Sequence, residues 1–186
     1  MHEGARRPAK RDERGSEALE LALVSPLLLL IVLGIVEFGW VFSNYLGVRT
    51  GVRQAARQGA ISIGAFNNAA PTCTLTGVSG ASNDVEDLMC LAQSQVGLGD
   101  VSRIKVVFDN PALTAGGSTY AVGNAIVVCQ SYPLTSITKM FALILDGRYI
   151  TDKAAFRIEA APSDGETETA GAETDPSGGG WSWCQD

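Results

Sequence analysis

Residues 21–42 read LALVSPLLLLIVLGIVEFGWVF, twenty-two positions that hold a single carboxylate and no basic side chain. As a helix rising about 1.5 Å per residue they reach roughly 33 Å, enough to cross the hydrocarbon core of a bilayer. A cleaved secretory signal has a shorter apolar core, about 7–15 residues, followed by small residues at a cleavage site. Here Ser43, Asn44, Tyr45 and Leu46 follow instead. A helix packed on a small soluble domain keeps a polar stripe, and residues 27–33 have none. The segment therefore reads as one transmembrane α-helix, with Trp40 and Tyr45 at its far end as interfacial aromatics. Pro26 lies inside it and removes one helical hydrogen bond, a loss that neighbouring helices offset in a membrane.

Charge is distributed unevenly around this span. Residues 1–15 carry five basic and three acidic side chains, a net of +2, which leaves −8 of the total −6 to the remainder. Five Lys or Arg precede the span, and Arg49, Arg53 and Arg57 follow it. The positive-inside rule then puts the amino terminus in the cytoplasm and the rest of the chain outside. All four cysteines, Cys73, Cys90, Cys129 and Cys184, lie beyond the span, where an oxidising compartment lets them pair. The acidic remainder lacks the clustered cations that nucleic-acid binding needs. At 186 residues the chain has room for one modest domain beside the span but not for two.

Two carboxylates sit at the edges of the apolar run, Glu20 at the inner edge and Glu37 near the outer one. Placement at the edge lowers the cost of a charge in a membrane. Upstream of Glu20 stands Gly15-Ser16, giving G-S-x-x-x-E between a basic stretch and an apolar helix. This arrangement resembles the type IV prepilin signal, in which a prepilin peptidase cuts after the glycine on the cytoplasmic face. The wider stretch, from Arg14-Gly15-Ser16 through Pro26 and its leucine run to Gly34-Ile35-Val36-Glu37-Phe38-Gly39 and Ala55-Ala56-Arg57, is similar to TadE-like proteins. These are minor pseudopilins of the Tad (Flp) type IVb pilus system. Leu21 departs from the pattern, since an aromatic residue commonly stands there in the family.

The resemblance implies cleavage between Gly15 and Ser16, residues 1–15 as a leader, and partners that include the peptidase, other pilins or pseudopilins, the assembly platform and the lipid membrane. It implies Glu20, Glu37 and Pro26 as residues of helix assembly. A new ammonium on Ser16 and the Glu20 carboxylate, each costly to bury alone, offset one another as a pair. The one histidine, His2, lies in the implied leader, so chemistry dependent on imidazole is not expected of the mature chain.

Beyond the span, Gly47 and Gly51 form a G-x-x-x-G pair that permits close helix approach. Arg49, Arg53 and Arg57 recur every fourth position, on one helix face. This reads as a solvated basic face, with acidic partners or lipid headgroups as the alternatives. The first helix is expected to end near residue 64, followed by a Gly, Ser and Thr-rich loop over 67–82. Val85, Leu88, Met89, Ala92 and Val96 then fall on one face of a short amphipathic helix, with Ser82 or Asn83 as cap and Gly97 as stop.

Residues 103–109, 120–132 and 149–159 alternate as strands, which predicts an antiparallel sheet of about three strands with one wet face. Residues 136–145 read as a short apolar helix or loop that leans on either the sheet or the membrane surface. Residues 162–186 hold six acidic and no basic side chains, and their Gly, Ser, Thr and Glu content reads as largely disordered. Trp181, Trp183 and Cys184 nevertheless suggest a tethered tip. Four cysteines allow three pairings, and locality favours Cys73 with Cys90 and Cys129 with Cys184.

The expectation is thus an α+β chain: leader 1–15, membrane-spanning and extended helix 16–64, a small extracytoplasmic domain 65–161, and an acidic tail 162–186. No C-x-x-C, phosphate loop, nucleophile elbow or H-E-x-x-H is present, so no metal, cofactor, small-molecule substrate or catalytic role is expected. Two functions compete: a processed pseudopilin in the cytoplasmic membrane, and an unprocessed, membrane-anchored extracytoplasmic binding module. A secreted enzyme is a third and would lack the apolar helix.

Overall fold

A computed structural model describes residues 12–64, 73–97, 101–109, 119–162 and 165–185. Helix α1 spans Asp12–Ser62 with Pro26 inside it. The chain divides into two units, one ending at Gly39 and the other starting at Trp40.

In the first unit nearly every apolar side chain faces outward, among them Leu21, Leu23, Leu27, Ile35 and Phe38. The helix is long and apolar enough to cross a membrane, and its most apolar stretch buries nothing against the protein. Such a surface needs lipid or other helices around it.

The second unit is an α+β domain. Helix α2 (Asn83–Ser94) is followed by strands β1 (Arg103–Asp109) and β2 (Ala125–Pro133), a four-residue helix α3 (Ala142–Leu145), β3 (Tyr149–Arg157), a two-residue β4 (Gly171–Ala172) and a terminal turn of helix α4 (Ser182–Gln185). The described strands form one antiparallel sheet in the order β3-β2-β1-β4. Register follows from alternation. Ile104, Val106, Phe108, Ile126 and Val128 all point to one face and are buried there with Val85, Leu88, Met89 and Ala92 of α2 and Val52, Ala55, Ala56, Ala60 and Ile63 of α1. The α2 face is the one its sequence spacing predicts.

Two expectations need correction. Residues 120–124 are not strand: a turn with Gly123 at φ 98° precedes β2, and Tyr120 instead packs edge-on against Phe108. The expected sheet of about three strands is formed, with the two-residue β4 added at its edge. Its second face is wet only in part, because the acidic tail read as disordered covers the middle of it. Trp181, Cys184 and Trp183 cluster there with Cys129, Val107 and Val127. Residues 110–118, which follow β1, and most of the expected leader lie outside the described residues.

Candidate functional site

The residues singled out by sequence are strung along α1 and are not gathered into a pocket. Gly15, Ser16 and Glu20 are all exposed, and nothing lies within 4 Å of the position a Cβ would take at Gly15. The helix begins three residues before Gly15. Glycine costs a helix about 1 kcal/mol. Unwinding around the Gly15–Ser16 bond disturbs little else. Ser16 and Glu20 are one turn apart on the same face. Glu37 stands about 26 Å further along the axis. Unlike the side chains around it, Glu37 is buried, at 3% exposed.

From Val48 onward the buried positions of α1 recur every three or four residues and the arginines take the opposite face. Close approach is made by glycine. A Cβ on Gly47 would stand 2.7 Å from the Gln95 carbonyl oxygen, and one on Gly51 2.6 Å from that of Ala92. Gly59 similarly makes room for Ile126 and Leu88. The Gly47 and Gly51 pair therefore serves contact with α2 of the same chain. Arg49, Arg53 and Arg57 line a shallow groove with Leu46, Ile61 and, from β3, Phe156.

Both disulfides expected from locality are formed, Cys73–Cys90 and Cys129–Cys184. The first ties the loop before α2 to that helix, and the second ties the tail to the central strand β2.

A buried polar junction was not foreseen from sequence. The Glu173 carboxylate accepts from the backbone N–H of Thr76 at 2.7 Å and of Ile104 at 2.8 Å, and from Gln93 Nε2 at 3.4 Å. Gln93 also donates to the Ser102 carbonyl, and Gln130 Nε2 donates to Ser102 Oγ. Burial pushes the Glu173 carboxyl above its ordinary range, against the opposing pull of those amides and of Arg103. Nearby, the Ser82 hydroxyl donates to Glu168 in place of capping α2. Burial, with the charge of Glu168, pushes the Tyr120 phenol up to about 12. Its hydroxyl bonds the carbonyls of Gly59 (2.8 Å) and Ala160 (3.0 Å), fastening α1 to the segment after β3. Among the described residues no group of three or more His, Cys, Asp or Glu is placed to hold a metal ion.

These features make α1 a helix whose second half is locked into a domain and whose first half offers an apolar surface to its surroundings. Comparison with protein families places a match on that helix. Residues 15–57 match the model of the TadE-like protein family. The TadE-like match opens at Gly15 and closes at Arg57, so it takes in Ser16, Glu20, Pro26, Glu37 and the three arginines, and stops short of α2 and the sheet. Comparisons with curated proteins and with solved structures gave no match.

Proposed function

We propose that this protein is a membrane-inserted pseudopilin, cut by a prepilin peptidase after Gly15 and acting as a minor structural or assembly component of a Tad (Flp) pilus. The observation that carries the reading is the coincidence of boundaries: the TadE-like segment starts at the glycine of the G-S-x-x-x-E pattern, immediately before an unburied apolar helix. The leader lies in the cytoplasm and the disulfide-bonded domain outside. The protein works by packing and charge pairing and catalyses nothing itself. Cleavage leaves an ammonium on Ser16 one helical turn from Glu20, close enough to neutralise it within the chain or to exchange with a neighbouring subunit. Its partners are the peptidase, other pilins and pseudopilins, and the assembly platform.

Deleting the protein from its host tests this reading. Piliation should fall, wild type should restore it, and a Gly15→Val variant that reaches the membrane should not. Unchanged piliation would favour the second reading, an unprocessed anchored module whose sheet binds another envelope component.

A further inference from the structure

The connection between β2 and β3 places its most apolar side chains in the open. Ile137, Met140, Leu143 and Ile144 are all exposed, Leu143 at 102%. None of α3 is buried, so this segment does not lean on the sheet. Its direction within the second unit is fixed by contacts along α1. Ile126, near the start of β2, lies beside Gly59, and Gln130 lies beside Gly51. Tyr132, Leu134 and Ile150 pack on Val48. The strand thus runs down α1 toward Phe42, and the chain that leaves it at Pro133 and returns at Tyr149 lies on the side where the apolar span ends. Val48 is only about 9 Å along the axis from Phe42.

Two further features suit that location. The helical turn at the tip pairs its own backbone: the amides of Ala142, Ile144, Leu145, Asp146 and Arg148 donate to the carbonyls of Lys139, Phe141, Phe141, Ala142 and Leu145. A segment entering a medium of low polarity needs that, because unpaired amides are costly there. Lys139 and Arg148 flank the apolar tip and are exposed, with Arg148 folded back so that its Nε donates to the Ile144 carbonyl at 2.9 Å. Asp146 is the one carboxylate in the loop, and it accepts from the Ser136 amide. An apolar tip edged by cations is the composition of an interfacial lipid contact.

We propose that residues 137–145 form a second membrane contact, dipping Met140, Leu143 and Ile144 into the outer leaflet and holding the domain's lower end against the bilayer. The contact lies on the exit side of the span and fixes how the domain is presented while α1 remains in the membrane. It rests on the reading of α1 as a membrane span and is independent of processing or of pilus membership.

The test uses the full chain reconstituted in phosphatidylethanolamine–phosphatidylglycerol vesicles. The four cysteines are paired, so Leu143→Cys and, as a second position, Ile144→Cys each supply one thiol for an environment-sensitive fluorophore. Val122→Cys, as exposed as Ile144 but beside the Gly59 end of α1, is the control. A thiol count of one per chain confirms that each variant keeps its disulfides. Lipids carrying a quencher near the headgroup should quench the labels at 143 and 144 several-fold more than the label at 122, with a blue shift at those two positions alone. Equal quenching at all three sites would overturn the proposal. So would shielding at 143 that grows with protein density and is insensitive to the lipid quencher, which would mark contact with a second copy instead.

Discussion

Replacing Gly51 by alanine tests whether α1 is clamped to α2. On a solvated helix the change would stabilise by about 1 kcal/mol, because alanine is the better helix former. Here the added Cβ would lie 2.6 Å from the Ala92 carbonyl oxygen and 3.0 Å from Gln130 Oε1. The first is backbone of a packed helix, so α1 must move away, and it carries Val48, Val52 and Ala55 out of the core with it. Overpacking of this kind costs about 1–3 kcal/mol. Set against the propensity gain, the net is a loss of about 1 kcal/mol. Gly39→Ala, with nothing within 4 Å, should show only the propensity gain, a stabilisation of up to about 1 kcal/mol. The assay is thermal unfolding of the full chain in detergent, followed by tryptophan fluorescence, where 1 kcal/mol moves the midpoint by roughly 2–4 °C. A Gly51→Ala protein as stable as wild type, or more so, would refute the close approach and return the glycine pair to a role between chains.

Other expectations follow from the docked tail and its anchors. Removing the Cys129–Cys184 bond by a double alanine substitution opens a loop of 55 residues. The chain-entropy account puts that at about 4 kcal/mol, readable as a lowered denaturant midpoint. Because the Glu173 carboxyl is raised above its ordinary 4.5, its contribution to stability is fully present below that value and is lost as pH rises through the folded value. Trp181 fluorescence should therefore report a tail more firmly docked at mildly acidic than at neutral pH, with that component gone in Glu173→Gln. Tyr120→Phe loses the bonds to Gly59 and Ala160 and should cost about 0.5–1.5 kcal/mol. Ultraviolet titration of wild type should show one phenol ionising only at about pH 12 that is missing from this variant.

Local signals carried the reading of the sequence where one segment decides its own state. The apolar run, the α2 face and β1 all belong to this kind, since the side-chain period reports burial directly. Both disulfides were legible because each joins the nearest plausible elements. What escaped were interactions whose two halves lie far apart. Residues 165–185 have the composition of a disordered tail, yet Glu173 binds amides 97 and 69 positions away, at Thr76 and Ile104. Inside the tail, Asp175 organises the glycine-rich turn. It accepts from the amide and hydroxyl of Ser177 and from the amide of Trp181, and these bonds, set against its burial, hold its carboxyl below the usual range. Composition alone reports none of this. Gly47 and Gly51 were legible as a site of close approach but not as to the partner, which a spacing cannot name.

The central claim is that α1 is a pseudopilin helix matured at Gly15, and intact mass tests it most directly. The protein is isolated from membranes made with and without a co-expressed prepilin peptidase, in parallel with Gly15→Ala. The account predicts a product that starts at Ser16 only when the peptidase is present and Gly15 is intact. A full-length chain under every condition would contradict it.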